Sequence, residues 1–252
     1  MLSALRLPLR SLLAASSSAA LFSALSLERL LRDVDDARVE VYVRAWARSL
    51  LYALRVEVRV DPPEFQRETR ASRGVMVVAN HRSTLDILLL LELFGGHLLA
   101  RGDMERWPVM GKLASTAGTL FVDREDPASG AAAIRRMRER LARGRTIGVF
   151  PEGTTFGGDE VRPFFGGAFI AAARERSAIV PVGIAYEDEG AIFGDEPIGP
   201  HLRRLAEAER TRVGVSIGEP IDPRSAPLKE LPEHARAAVQ ARVHRARALL
   251  SR

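Results

Sequence analysis

The sequence contains no cysteine among its 252 residues. This absence excludes a disulfide-bonded scaffold, a zinc ribbon and a cysteine nucleophile. It agrees with a protein that works in a reducing cytoplasm.

Lysine is almost as scarce as cysteine. Lys112 and Lys229 are the two lysines, so the net charge of +5 and the pI of about 10.3 come almost wholly from arginine. A basic chain favours an anionic partner or surface. The arginines form no basic stripe interleaved with aromatic residues, and we find no DNA-binding motif, so nucleic acid is not an expected partner. The sequence also lacks GxGxxG and Walker A patterns, which argues against nucleotide-binding folds.

The N-terminal region lacks the uninterrupted run of about 20 apolar residues that a membrane-spanning helix needs. Arg10 and the serines at 16–18 interrupt it. Its basic start, apolar stretch and serine-rich segment 14–20 resemble a signal peptide. The pattern agrees better with a helix that lies on a membrane surface, with Leu and Phe on one side and Arg on the other. A poorly ordered terminus is the third alternative.

Apolar residues make up 46% of the chain, enough to bury a substantial core, so global disorder is not expected. Strand-like runs alternate with helical patterns, which predicts a single-domain α/β sandwich with a largely parallel mixed sheet flanked by helices. The predicted strands are 56–60, 75–79, 97–100, 119–122, 146–150, 179–184 and 212–217. The predicted helices are 86–94, 107–117, 127–143, 165–176, 198–210 and 227–250.

We divide the chain into an N-terminal helical membrane-associating segment, residues 1–55, and an α/β domain, residues 56–252. Within the first part, the charged residues 33–40 predict a break before a helix at 41–54. That helix places Tyr42, Trp46 and Leu50 on one face. We expect this face and the N-terminal residues to hold the protein on the cytoplasmic face of the cell membrane, as a peripheral or monotopic protein.

The stretch NHRSTLD, residues 80–86, follows a predicted strand and contains one of five histidines. On a continuous helix, His81 and Asp86 would point in different directions. They can meet if residues 80–82 form a turn and the helix begins at Ser83 or Thr84, both good N-cap residues. Asp86 would then hold one imidazole nitrogen and leave the other as a base for a hydroxyl proton. The alternative is a structural histidine near a helix cap.

Two further stretches follow predicted strands. FPEGTT, residues 150–155, places Glu152 and Gly153 at the carboxyl end of a strand, where open α/β sheets hold ligands. The glycine allows close backbone approach and its N–H can donate to an oxyanion. TLFVDR, residues 119–124, ends in Arg124, which could hold a phosphate through a bidentate contact. Considered alone, FPEGTT could be an ordinary turn, and Arg124 could be an ordinary solvated arginine.

Together and in this order, these stretches resemble the 1-acylglycerol-3-phosphate O-acyltransferase family, the glycerolipid and lysophospholipid acyltransferases with an HX4D motif. The family's first block, NHxSxxD, matches Asn80, His81, Ser83 and Asp86. Its second block, FVDR, matches residues 121–124, and its third, FPEGT, matches residues 150–154. An apolar fourth block with a central proline is similar to residues 180–184. The resemblance covers residues 40 to 220, approximately.

The resemblance implies transfer of a fatty acyl group from acyl-CoA or acyl carrier protein to the hydroxyl of a lysolipid, in phospholipid biosynthesis. The first expected acceptor is 1-acyl-glycerol-3-phosphate. His81 and Asp86 would be catalytic, and the hydroxyl would attack the thioester directly, which agrees with the absence of cysteine. The implied partners are membrane lipids, the lysolipid and the acyl donor, with no metal and no cofactor. The implied substrate-binding residues are Arg124, Glu152, Gly153, Thr154, Asn80 and Ser83.

Two positions depart from the family pattern. Phe165 stands where the resemblance implies a lysine in a Pro-Phe-Lys-x-Gly segment, and Thr155 stands where the lysophosphatidate enzymes usually have arginine. Both changes remove positive charge from the expected headgroup site. They admit other acceptors, such as a lyso-ornithine lipid or a lysophospholipid.

Two alternatives belong to other classes of protein. Residues 214–218 match GxSxG, with Ser216 as the nucleophile of a serine hydrolase, but the prolines that follow disfavour the helix that such a site requires. Ser216 is therefore predicted to be an ordinary strand residue. A non-enzymatic lipid-binding membrane scaffold would use the N-terminal segment without needing the His81–Asp86 pair.

Overall fold

The computed structural model describes residues 2–62, 74–107, 110–123 and 125–251. The helices in these ranges are α1 (Leu2–Leu31), α2 (Asp36–Ala53), α3 (Leu85–Phe94), α4 (Met110–Thr116), α5 (Pro127–Ala142), α6 (Gly167–Glu175), α7 (Ile198–Glu207) and α8 (Leu231–Leu250). The strands are β1 (Val56–Asp61), β2 (Met76–Ala79), β3 (His97–Arg101), β4 (Leu120–Val122), β5 (Ile147–Val149), β6 (Ile179–Tyr186) and β7 (Thr211–Ile217). Short 3₁₀ turns lie at Gly102–Arg106 and Glu189–Ala191.

These strands form one sheet in the order β1-β7-β6-β2-β5-β3-β4. The five strands from β6 to β4 run parallel to one another. β7 pairs antiparallel with β6, and β1 pairs parallel with β7, so these two strands run the opposite way. The predicted α/β fold with a largely parallel mixed sheet is confirmed.

Helices cover both faces of the sheet. Buried residues of α2, α3 and α7 share one core with β7 and with one face of β2 and β6. Buried residues of α5, α6 and α8 form the other core with the opposite face. Every residue of β2 and β6 is buried, as expected for parallel strands that are covered on both sides. Their apolar character in the sequence follows from this position.

Two glycines let α8 approach the sheet closely. A Cβ atom on Gly183 would lie 2.1 Å from the backbone of Arg242, and one on Gly214 would lie 2.1 Å from the carbonyl oxygen of Ala246. Any side chain at either position would push α8 away from β6 and β7.

The predicted break at 33–40 is too long. The Asp35 carboxylate accepts a hydrogen bond from the backbone N–H of Arg38 at 2.8 Å, so Asp35 caps α2 and the helix begins at Asp36. The predicted helix at 107–117 is also shorter, because a 3₁₀ turn precedes α4.

The face of α2 that we expected on the membrane instead contacts α1. Trp46 Nε1 donates to Ser18 Oγ at 2.9 Å, and the indole packs edge-on against Phe22 with the ring centres 5.7 Å apart. The Tyr42 hydroxyl donates to Glu28 at 2.5 Å. This part of the membrane prediction is wrong, because these amphipathic side chains find their polar partners within the protein.

The two sides of α1 also differ from the expected pattern. Arg10 is buried, and its guanidinium donates to three carbonyl oxygens at the carboxyl end of α7, at 3.1, 2.5 and 2.8 Å: those of Ala206, Ala208 and Glu209. A helix end leaves carbonyl groups unsatisfied and carries a negative partial charge, which stabilises a cation there. Arg10 therefore faces the protein and not solvent.

The outward side of α1 is rich in leucine. Its exposed leucines include Leu5 (63% exposed), Leu9 (56%) and Leu12 (64%), together with Leu13, Leu27, Leu30 and Leu31. Among the described helices, α1 alone is long and apolar enough to cross a membrane, over Leu5–Leu31. A helix with one side packed on protein and the other apolar and exposed fits a membrane surface.

Candidate active site

The first, third and fourth motif blocks converge at one edge of the sheet. β2 lies between β5 and β6 and runs parallel to both, so the carboxyl ends of the three strands lie side by side. NHRSTLD follows β2, FPEGT follows β5, and the fourth block lies within β6. Open α/β sheets place ligands at this edge.

His81 and Asp86 make the predicted contact. His81 Nδ1 lies 2.8 Å from Asp86 Oδ2, across the turn that precedes α3. A carboxylate accepts hydrogen bonds, so Nδ1 carries the hydrogen and Nε2 keeps its lone pair. Nε2 has no hydrogen-bond partner among the residues that the structure describes, and the side chain is 17% exposed. The imidazole is therefore held on one side and open on the other.

Asp86 is completely buried, and its carboxylate accepts four hydrogen bonds. Oδ2 accepts from His81 and from the backbone N–H groups of Arg82 (2.5 Å) and Ser83 (2.8 Å). Oδ1 accepts from the Tyr186 hydroxyl at 2.6 Å. Thr84 occupies the N-cap position, but its side chain accepts no hydrogen bond from the first turn of the helix, so the expected cap is replaced by Asp86, which reaches back to the turn. Four donors fix the carboxylate that orients the imidazole.

The ring of His81 is held in its plane by Phe150. The two rings stack with centres 4.1 Å apart and an angle of 14°. The backbone of His81 is held as well: its N–H donates to Glu152 at 2.6 Å, and its carbonyl accepts from the N–H of Phe156 at 3.1 Å. Two residues of the FPEGT block and Phe156, which follows it closely, thus position the imidazole.

Glu152 and Arg82 form a buried ion pair beside His81. Arg82 Nη1 lies 2.9 Å from Glu152 Oε2, with the side chains 2% and 0% exposed. Glu152 also accepts the N–H of Arg162 at 2.9 Å. Arg82 donates further to two carbonyl oxygens of the following loop, both at 2.7 Å: those of Gly158 and Glu160. The pair ties the NHRSTLD turn, the FPEGT turn and the loop 156–162 together.

Other predicted substrate-binding residues lie at the same edge. The Asn80 amide exchanges two hydrogen bonds of 2.8 Å with the backbone of Ile184 on β6, and Ser83 Oγ accepts the N–H of Leu85 at 3.3 Å. Asn80 and Ser83 are buried in the wall of the site. Gly153 has a φ of 87°, which suits glycine and turns the chain after Glu152, and Thr154 is exposed. Their contact with substrate remains a prediction.

Arg124 lies outside the described residues, and its role in binding the acceptor remains a prediction. It follows β4, which β3 separates from β5. Phe165 is 59% exposed, and its N–H donates to the carbonyl of Pro151 at 2.9 Å, which places it beside the FPEGT turn. Arg162 is exposed and lies over the ring of Phe156 at 5.6 Å.

Three residues of the site are not among those predicted from the sequence: Arg82, Tyr186 and His201. Arg82 occupies an unspecified position of the NHxSxxD block, so the motif gives no signal for it. Tyr186 could have been found, because the strict alternation of β6 places it on the same side as Ile184, toward α3. For His201 we find no sequence signal.

His201, on α7, is fully buried against the NHRSTLD turn. Its Nδ1 lies 3.1 Å from the Arg204 guanidinium, which can only donate, so Nδ1 accepts and Nε2 donates to Thr84 Oγ1 at 3.0 Å. Burial, together with the Arg204 cation, lowers the pKa of His201 to about 4. His201 is therefore neutral near pH 7 and holds the turn as a hydrogen-bond donor.

Ser216 lies within β7 and is completely buried. Its Oγ has no hydrogen-bond partner among the described residues, and no helix follows it directly. A hydrolase nucleophile must be exposed on a sharp strand-to-helix turn. The serine hydrolase alternative therefore fails, and Ser216 is the strand residue that we predicted.

Similarity to known proteins agrees with the geometry of the site. The sequence profile of the Acyltransferase family matches residues 58–185, a range that contains the His81–Asp86 pair and the FPEGT turn. The chain belongs to the acyltransferase family. The resemblance inferred from the motif blocks is thus confirmed.

Two curated relatives of this acyltransferase differ in their named acceptor. The chain is 37% identical over 206 residues to the lyso-ornithine lipid O-acyltransferase of Pseudomonas aeruginosa, covering 78% of this chain and 76% of that enzyme. It is 32% identical over 162 residues to the 1-acyl-sn-glycerol-3-phosphate acyltransferase of Neisseria meningitidis serogroup B, covering 63% of this chain and 62% of that enzyme.

The fold of the acyltransferase is also that of a solved structure. The 1-acyl-sn-glycerophosphate (LPA) acyltransferase PlsC from Thermotoga maritima matches with a TM-score of 0.70 and 23% identity, covering 98% of each chain. The expected activity, O-acyl transfer, is confirmed by the family and by the relatives.

Proposed function

We propose that this acyltransferase moves a fatty acyl group from a thioester, acyl-CoA or acyl carrier protein, to the hydroxyl of a membrane lysolipid. The observation that carries the proposal is the His81–Asp86 pair, in which Nδ1 is held at 2.8 Å and Nε2 has no partner among the described residues. An imidazole in this state is a general base for a hydroxyl group.

The reaction follows from this geometry. His81 Nε2 takes the proton of the acceptor hydroxyl while the hydroxyl oxygen attacks the carbonyl carbon of the thioester. The carbon–sulfur bond then breaks, and the departing thiolate takes the proton back from the imidazolium. Asp86 stabilises the imidazolium between the two steps. General-base catalysis of this kind contributes about 10² to 10⁴-fold in rate, and the scheme uses no metal and no cofactor.

Two acceptors are candidates, a lyso-ornithine lipid and lysophosphatidate, and the residues beside the FPEGT turn favour the first. A dianionic phosphate requires several charge-assisted hydrogen bonds. Phe165 and Thr155 supply no charge at two positions where the resemblance implies lysine and arginine. An ornithine headgroup carries a carboxylate and an ammonium, so it needs less positive charge. The similarity to the Pseudomonas aeruginosa enzyme supports the same acceptor.

We further propose that residues 1–55 hold the protein on the cytoplasmic leaflet, with the outward leucines of α1 in the lipid and the catalytic domain, residues 56–252, above it. This arrangement brings the site to the lysolipid while leaving it open to the acyl donor on the cytoplasmic side.

The acceptor is tested with Phe165→Lys. We expect the wild type to use lyso-ornithine lipid better than lysophosphatidate. We expect the variant to raise the ratio of kcat/KM for lysophosphatidate over lyso-ornithine lipid about tenfold, since it adds one charge-assisted contact. The measurement is acyl transfer to each acceptor in mixed micelles, read by mass spectrometry.

Val41→Lys is the matched control for this test. Val41 is 55% exposed on α2, and its neighbour Glu40 lies beside Gly95 at the carboxyl end of α3, whereas the site lies at the amino end of that helix. The substitution adds the same charge to the surface and should leave the ratio unchanged. A wild type that strongly prefers lysophosphatidate, with a KM that Phe165→Lys does not change, contradicts the choice of acceptor.

A further inference from the structure

The two oxygens of the Asp86 carboxylate are used unequally. Oδ2 accepts three hydrogen bonds, from His81 Nδ1 and from the N–H groups of Arg82 and Ser83. Oδ1 accepts one hydrogen bond among the described residues, from the Tyr186 hydroxyl at 2.6 Å. Asp86 is fully buried, so water cannot readily replace that donor.

Tyr186 is well placed to keep this contact. It is the last residue of β6, it is 2% exposed, and it faces the layer that contains α3. Burial, and then the adjacent Asp86 charge, raise the pKa of the Tyr186 phenol well above its ordinary value. The phenol therefore stays protonated and can only serve Asp86 as a donor.

We propose that Tyr186 is a positioning residue for acyl transfer, which sets the proton affinity of the His81–Asp86 pair through its hydrogen bond to Asp86 Oδ1. The inference rests on the proposed role of His81 as the base. A hydrogen bond donated to a carboxylate stabilises its negative charge and so weakens its attraction for a proton. With the phenol in place, the imidazolium that forms during catalysis releases its proton more readily to the leaving thiolate.

The other charged and titratable groups around the pair are held by partners of their own. Arg82 and Glu152 pair with each other, and Arg247 on α8 pairs with Asp159 at 2.7 Å while donating to the Tyr186 carbonyl oxygen. His201 on α7 has a pKa of about 4, so it stays neutral above about pH 5. A change in the titration of the pair near neutral pH therefore reports on Tyr186.

The test is a ¹⁵N NMR titration of the histidine side chains in the full-length protein, with the His81 signal assigned by its loss in His81→Ala. In Tyr186→Phe, the midpoint of the His81 titration should rise by about one pH unit, the size expected for one lost hydrogen bond to a buried carboxylate. The acid limb of the kcat/KM profile should move in the same direction. Tyr52→Phe, at a side chain that is 83% exposed, should move neither.

Replacement of Tyr186 by 3-fluorotyrosine keeps the ring and the hydroxyl, so it decides the question if Tyr186→Phe fails to fold. Fluorine makes the phenol a stronger donor, and the midpoint should then fall. An unchanged midpoint in either variant overturns the inference. The titration midpoint does not depend on turnover, so the two proposals can be contradicted separately. An active His81→Ala protein would contradict the role of His81 as the base. An unchanged midpoint together with an inactive His81→Ala protein would contradict only the role of Tyr186.

Discussion

At the scale of single residues, the site depends on charges that are buried together. Removing Arg82 and Glu152 from water costs free energy that their attraction offsets only in part, so the pair need not stabilise the fold. Its hydrogen bonds instead fix the backbone of His81 and of the loop after FPEGT. We infer that the main role of the Arg82–Glu152 pair is to position the imidazole of His81, not to stabilise the domain.

His201 predicts a specific dependence of stability on pH. Its pKa in the folded protein, about 4, lies below the ordinary value of 6.5. Between these values the unfolded chain binds a proton that the folded protein does not, so this group's contribution is present above pH 6.5 and is lost as the pH falls toward 4. The full loss corresponds to roughly 3 kcal/mol in the free energy of unfolding.

The measurement is chemical denaturation at several pH values in this window, for the wild type and for His201→Gln. Glutamine does not titrate and can still donate to Thr84, so the variant should lose less stability on acidification. Parallel pH curves for the two proteins would show that His201 is not the group responsible.

Contacts within the site could be predicted from the sequence when the two residues lie close together in the chain, but not when they lie far apart. His81 and Asp86 are five residues apart, and turn and helix rules were enough to bring them together. Tyr186 and Asp86 are 100 residues apart, and Arg82 and Glu152 are 70 apart. Such contacts depend on the order of strands in the sheet, which local periodicity does not reveal.

At the scale of elements, strands and helices were predicted well where apolar periodicity is strong, as in β6 and α5. The sides of α1 were predicted wrongly, because the sequence does not show that the carbonyl groups at the end of α7 receive Arg10. The charged break before α2 was placed too long for a similar reason. In a sequence, charged residues that cap a helix cannot be distinguished by their charge from the residues of a loop.

The outward face of α1 carries the prediction at this scale. Replacing both Leu9 and Leu12 with glutamine should weaken binding to liposomes by about tenfold or more, since each buried leucine side chain contributes about 1.5–3 kcal/mol. Both are more than half exposed, so thermal stability should change little. Flotation with liposomes that contain anionic lipid measures the binding.

Leu228→Gln is the control for this experiment, because it removes an exposed leucine outside α1. It should bind liposomes like the wild type. If the double α1 variant also floats like the wild type, the membrane contact does not lie on this face.

At the scale of the whole molecule, function follows from the strand order. Placing β2 between β5 and β6 joins blocks that lie about 70 and 100 residues apart in the chain. Because α1 packs on α7, and α7 contacts the NHRSTLD turn, the position of the site relative to the exposed leucines of α1 is fixed. The sequence predicted the blocks and the class of fold, but the strand order had to come from the structure.

The role of His81 as the general base is tested most simply by the turnover of His81→Ala with labelled acyl donor and lysolipid. If His81 is the base, the variant is a folded protein with wild-type thermal stability whose kcat falls about 10³-fold or more, within the range for loss of a general base. Asp86→Asn should lose almost as much, since an asparagine can impose the wrong imidazole tautomer, while Asp195→Asn, at an exposed carboxylate, should lose nothing. A well-folded His81→Ala protein with near wild-type turnover would show that His81 is not the base.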